Sequence, residues 1–194
     1  TLIEYLKKMQ GKKVIVVDSD LRRPILHKYF KLSNGLGLTS ALLNSQSRAE
    51  AFLQPTEIEN LSVMCSGPLP PNPAELLGSR RMKQIIDELK EQADVVVCDS
   101  PPLLVVTDAV LLARQTDGVL LVVDAGATRR AFLARARDTL KSANARLLGV
   151  VLNRITLSRS GYYSYAYQYY YYSGDGDRRH RHSRRGRRRG MFHC

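Results

Sequence analysis

Four short apolar runs constrain this chain more than any other feature: Val14–Val17, Val95–Cys98, Val119–Val123 and Leu147–Leu152. Each is rich in β-branched residues and about as long as a buried strand. The stretches between them carry helical spacing. Strands that alternate with helices demand right-handed crossovers and a parallel sheet. The pattern predicts a doubly wound, mostly parallel α/β domain.

The chain opens with Leu2, Leu6 and Met9 at helical spacing, which predicts a helix ending at Gly11. A strand is expected over 13–18, a short helical turn over 24–30 and a helix over 36–43. Leu61–Cys65 reads as a further short strand. Met82, Ile85, Ile86 and Leu89 fit the amphipathic template of a helix over 79–91. A strand over 94–98, a helix near 107–113, a strand over 119–123, a helix near 130–143 and a strand over 147–152 complete the order.

In an open α/β sheet, ligands bind beyond the carboxyl ends of the strands. The first apolar run ends there in Asp18-Ser19-Asp20-Leu21-Arg22, an acid-x-acid-x-base pattern. Two carboxylates with a guanidinium two residues on suit a divalent cation and phosphate oxygens. A second run ends in Asp99-Ser100-Pro101-Pro102, where the double proline stops the strand. One strand-terminal Asp is commonly a cap or turn residue. Two in one chain, each closing a buried run, point to a shared site.

Composition limits the alternatives. The 194 residues are enough for one domain with a sizeable core, and 44% of them are hydrophobic. No apolar run approaches the roughly 20 residues of a membrane span. Cys65, Cys98 and Cys194 are odd in number and scattered, which argues against a disulfide framework or zinc site. Cys98 reads as a small buried apolar residue. The net charge of +12 is concentrated: residues 178–190 hold eight of the 30 Lys and Arg and no acid, and without them 22 bases face 18 acids.

After Asn153 the composition changes. Eight of the eleven residues 162–172 are tyrosine: Tyr162, Tyr163, Tyr165, Tyr167, Tyr169, Tyr170, Tyr171 and Tyr172. An Arg-rich run follows. With no aliphatic pattern to bury a face, 156–194 reads as a mobile tail behind a domain over 1–155. On residue chemistry alone, the tyrosines suit phosphoacceptors, a stacking surface for single-stranded nucleic acid, or low complexity without a role.

Together these residues resemble a known family, the bacterial tyrosine kinases of capsule and exopolysaccharide synthesis. These are deviant P-loop proteins related to partitioning and cell-division ATPases. The family's second Walker motif matches Ile15–Arg22, and its Walker B motif matches Val96–Pro102 with Ser100 in place of the usual Thr. Two further stretches look like the family, Gly35–Leu43 and Gly67–Leu77. The resemblance implies an ATP- and Mg2+-dependent protein-tyrosine kinase that phosphorylates its own C-terminal tyrosine cluster in trans. It implies Asp18, Asp20 and Asp99 around the magnesium, with Asp18 to orient or deprotonate the tyrosine hydroxyl. Arg22 either bridges these acids or contacts phosphate, or else forms a surface ion pair. An Asn at the place of Asn153 contacts adenine in related ATPases, and a turn residue is the equal alternative. Asp108 is expected to cap the helix near 107–113, Asp124 has no assigned role, and Arg23 is expected to be solvated.

No G-x-x-x-x-G-K-[ST] loop occurs in the sequence. By comparison with the family it is expected just before Thr1, with the chain starting after its own phosphate cradle. The resemblance further implies a homo-oligomer at the inner face of the cell membrane, coupled to a membrane activator of polysaccharide export. The Arg-rich run suits an anionic membrane surface, with nucleic acid as the competitor and a solvated basic tail as the equal alternative. The competing readings are a partitioning-type positioning ATPase and a non-catalytic phosphoacceptor or scaffold.

Overall fold

The computed structural model describes residues 11–155. The expected opening helix, the tyrosine cluster, the Arg-rich run and Cys194 lie outside the described residues.

Strand β1 (Val14–Asp18) is the centre of the fold and is buried at every position, as four consecutive β-branched residues demand. It pairs in parallel with β3 (Leu61–Met64) on one side and with β4 (Val95–Asp99) on the other. A two-residue strand β2 (Gln54–Pro55) adds antiparallel to β3 at the edge, where Pro55 is tolerated because the outer edge needs no donor. The sheet order is β2-β3-β1-β4.

The helices pack by the periodicities read from sequence. Helix α1 spans Leu26–Phe30 and α2 spans Leu38–Leu43. A 3-10 turn (Ala49–Phe52) and a short helix α3 (Pro73–Leu77), which the sequence reading missed, precede α4 (Arg80–Lys90). Helix α4 starts where the Ser79 hydroxyl accepts from the Met82 N–H at 3.2 Å. Its stripe of Met82, Ile85, Ile86 and Leu89 is at most 3% exposed and joins Ile15, Val17, Leu21 and Leu77 in the main core. Burying each such side chain contributes about 1.5–3 kcal/mol. On the other face, Val14, Val16, Leu61, Val63 and Cys65 form a second cluster under Leu26 and Phe30.

Helix α5 (Asp108–Ala113), strand β5 (Val119–Asp124), helix α6 (Arg130–Ser142) and strand β6 (Leu147–Asn153) follow in the expected order. Here the structure departs from one continuous sheet. Strands β5 and β6 pair in parallel as a separate ladder and share none with β4. One edge of β4 and one of β5 therefore have no strand partner among the described residues. The second ladder is also less covered, with Leu120, Val122 and Leu152 each more than half exposed. Apolar runs announce strands, but they carry no information on which strands are neighbours.

Candidate active site

Asp18 and Asp99 close adjacent parallel strands and stand opposite one another in register. The Ser19 N–H donates to the Asp99 carbonyl at 2.9 Å, extending the ladder one residue past the acids. Both carboxylates thus emerge at the carboxyl edge of the sheet, where such folds bind ligands.

Asp18 is fully buried. Its Oδ2 accepts from the N–H groups of Ile25 and Leu26, at 3.2 and 3.0 Å, so the carboxylate pins the start of α1. Leu21, only 1% exposed, anchors the intervening loop in the core. Among the described residues, Asp18 Oδ1 and the Ser19 hydroxyl are buried without a well-formed hydrogen bond. Buried polar atoms are usually paired in a folded protein, so a carboxylate oxygen left over at a strand end fits contact with a cation or a donor group. Burial raises the Asp18 pKa and the nearby Asp20 charge adds to it, while the backbone N–H groups of Leu26, Ile25 and Asp20 oppose the rise. Asp99 is pushed up to about 6, first by burial and then by the Asp18 and Asp20 charges. Three acids that repel one another at one edge favour a cation or a shared proton.

Asp20 is held by its own loop: Oδ1 accepts from the N–H groups of Arg22 and Arg23 at 3.1 and 2.9 Å. This side-chain-closed turn gives Asp20 a structural part that the acid-x-acid-x-base pattern did not announce. Arg23 is exposed, as anticipated. The Arg22 guanidinium meets neither Asp18 nor Asp99. Its Nε and Nη2 donate to both oxygens of Asp108, at 2.8 and 3.0 Å. Asp108 therefore does not cap α5. It is the first residue of the helix, fully buried, and the N-cap residue Thr107 makes no side-chain capping bond. Nothing local to either residue announces a partner 86 positions away.

Among the described residues, no three His, Cys, Asp or Glu side chains converge as a preformed metal cage. Asp18, Asp20 and Asp99 interact through their charges without surrounding one point. Such a set still suits magnesium, which is usually held by one or two carboxylates together with water and substrate phosphates. Asn153 ends β6 opposite Asp124, and its carbonyl accepts from the Ala125 N–H at 2.8 Å. Asp124 is engaged by Arg154 at 2.9 Å. Cys98 packs against the main core, and burial pushes its thiol up to about 11, which suits a structural role better than a nucleophile.

The segments Gly35–Leu43 and Gly67–Leu77 meet at the carboxyl end of β3. The Leu38 and Thr39 N–H groups donate to the carbonyls of Cys65 and Ser66 at 2.7 and 2.8 Å. The Asn34 amide both donates to the Gly67 carbonyl and accepts from the Gly67 N–H, at 3.1 and 3.0 Å. A Cβ on Gly37 would fall 2.0 Å from the Cys65 carbonyl oxygen, so only glycine fits. The shallow concavity between α5 and α6, lined by Val110, Arg114, Arg135 and Asp138, contains none of the predicted site residues.

A mostly parallel α/β core with paired acids at its carboxyl edge has the architecture of a P-loop NTPase-like domain. Comparison with known proteins narrows this. No family model matches the chain. It is 43% identical over 157 residues to the tyrosine-protein kinase YwqD of Bacillus subtilis, covering 79% of this chain and 66% of that protein. It is 36% identical over 153 residues to the putative tyrosine-protein kinase CapB of Staphylococcus aureus, covering 79% and 67%. The kinase domain of the Escherichia coli tyrosine kinase ETK matches with a TM-score of 0.73 at 31% identity, over 80% of this chain and 61% of that one. The chain belongs to the bacterial tyrosine-protein kinases. It spans about two thirds of the length of these curated relatives. The cell division ATPase MinD of Pyrococcus furiosus, with a TM-score of 0.64 at 25% identity over 79% of this chain and 64% of that one, shares the fold.

Proposed function

We propose that this chain carries the phosphotransfer site of an ATP-dependent protein-tyrosine kinase, which moves the terminal phosphoryl group of ATP to the tyrosines of residues 162–172 on a neighbouring copy. The reading rests on the register pair Asp18–Asp99, with its buried Asp18 oxygen left without a well-formed hydrogen bond. Magnesium, when bound with ATP, supplies charge neutralisation for the phosphates. Asp18, and Asp99 or Asp20 beside it, would hold it. Asp18 would orient the incoming tyrosine hydroxyl through Oδ1, a role supported by the two backbone bonds that fix its Oδ2. A tyrosine hydroxyl loses its proton only near pH 10, so a fixed acceptor assists its attack. Asn153, at the far strand end, is assigned to the adenine.

The kinase domain is assigned to 1–155 and the phosphoacceptor tail to 156–194. Each added phosphate brings about −1.5 to −2 charges beside the Arg-rich run and can pair with it. That charge reversal gives a switch on assembly, in a homo-oligomer at the cytoplasmic face of the membrane that serves capsule or exopolysaccharide export with a membrane activator.

The test is phosphotransfer by the full gene product with magnesium and labelled ATP, read by mass spectrometry. Phosphate on tyrosines within 162–172 is the expected result. ATP hydrolysis without any phosphotyrosine would overturn the reading in favour of a positioning ATPase, and failure to bind ATP would favour a non-catalytic scaffold.

A further inference from the structure

The Arg22–Asp108 pair has no part in the function proposed above, and its geometry exceeds what an incidental surface contact requires. Asp108 is fully buried, and both of its oxygens are taken by one guanidinium in a two-bond fork. Arg22 itself is 41% exposed along its side chain, so the acid is the fixed end of the pair. From Arg22 the constraint continues through the backbone, where its N–H donates to Asp20 Oδ1. Asp20 is thereby held from one oxygen, next to Asp18 and Asp99, whose pKa values its charge raises. Asp108 opens α5, which follows the Pro101-Pro102 loop leaving β4, while Arg22 lies on the loop leaving β1. One ion pair therefore braces the two loops that carry the acidic edge.

We propose that Asp108 is a positioning residue for phosphotransfer, which through Arg22 fixes the turn that presents Asp20 to the site. This rests on the kinase reading, and it removes Arg22 from the groups that touch phosphate. Misplacement of a reacting constellation by about 1 Å can cost on the order of a hundredfold in rate. A bidentate fork fixes such a position in a way that a lysine does not.

The experiment compares Asp108→Asn, Arg22→Lys and the double variant in the full gene product. It measures kcat and KM for ATP, calorimetric affinity for a non-hydrolysable ATP analogue with magnesium, and thermal unfolding. Arg22→Lys keeps the buried acid neutralised, so it guards against simple unfolding. Each single change should lower kcat about tenfold or more while analogue affinity stays within about twofold, and the double variant should be no worse than the poorer single one. A lowered melting temperature with unchanged kcat in Asp108→Asn would show a purely structural ion pair and overturn the proposal. Full kcat in Arg22→Lys would overturn it too, as would a tenfold loss of analogue affinity confined to the Arg22 variant. A wild-type protein without phosphotransfer would instead sink the kinase reading itself.

Discussion

Asp99 carries a proton to a higher pH than an ordinary aspartate, because it is partly buried beside Asp18 and Asp20. In the unfolded chain the same group returns to its usual value of 3.8. The folded state therefore binds the proton more tightly, and the stability this confers is fully present below about pH 4. It is lost as pH rises through about 6. For the nucleotide- and magnesium-free protein, Asp99→Asn should be more stable than wild type at pH 7–8. The difference should shrink towards zero near pH 4, as read by denaturant unfolding across that range. A difference independent of pH would contradict the assigned repulsion. The position of Asp18 and Asp99 at strand ends was legible in the sequence because each closes an apolar run. The partnership of Arg22 with Asp108 was not, since it joins residues that no local pattern links.

Periodicity located the longer elements because an element of ten residues or more repeats its signal several times. Helix α4 shows this best, with four apolar positions on one stripe and a serine at its start. Leu89→Ala should cost about 2–5 kcal/mol, since its side chain is fully buried in the main core. Ser79→Ala should cost about 1 kcal/mol by freeing the Met82 N–H. Chemical denaturation measures both. The 3-10 turn, β2 and α3 are too short to show a repeat, and they went unread for that reason. Gly37 marks a different kind of constraint. Its α-carbon presses against the Cys65 backbone, so Gly37→Ala should destabilise by about 1–3 kcal/mol and loosen the contact between the two family-like segments. An unchanged denaturation midpoint for that variant would contradict the close approach.

Across the whole molecule, the α/β class and the order of its elements were legible because strands and helices alternate. The division into a four-stranded and a two-stranded ladder was not, because pairing partners are chosen by tertiary packing. The acidic edge belongs entirely to the larger ladder, while Asn153 belongs to the smaller one. Charge separates the chain in a second way, with the arginine-rich run 178–190 supplying most of the excess positive charge. A phosphorylated tyrosine cluster beside that run would be largely self-neutralised, which predicts that the phosphorylated protein binds anionic vesicles more weakly than the unphosphorylated one in a sedimentation assay. Equal binding by both forms would show that the tail charge is not the contact.

In the proposed kinase, Asp18 is the residue that makes this strand end a phosphotransfer site. Asp18→Asn keeps an oxygen for the Ile25 and Leu26 N–H groups while removing the charge. Phosphotyrosine formation by that variant of the full gene product, with its fold checked by circular dichroism, is the most direct measurement. A loss of about a hundredfold or more with the fold intact is the predicted result; phosphotransfer at the wild-type rate would contradict it.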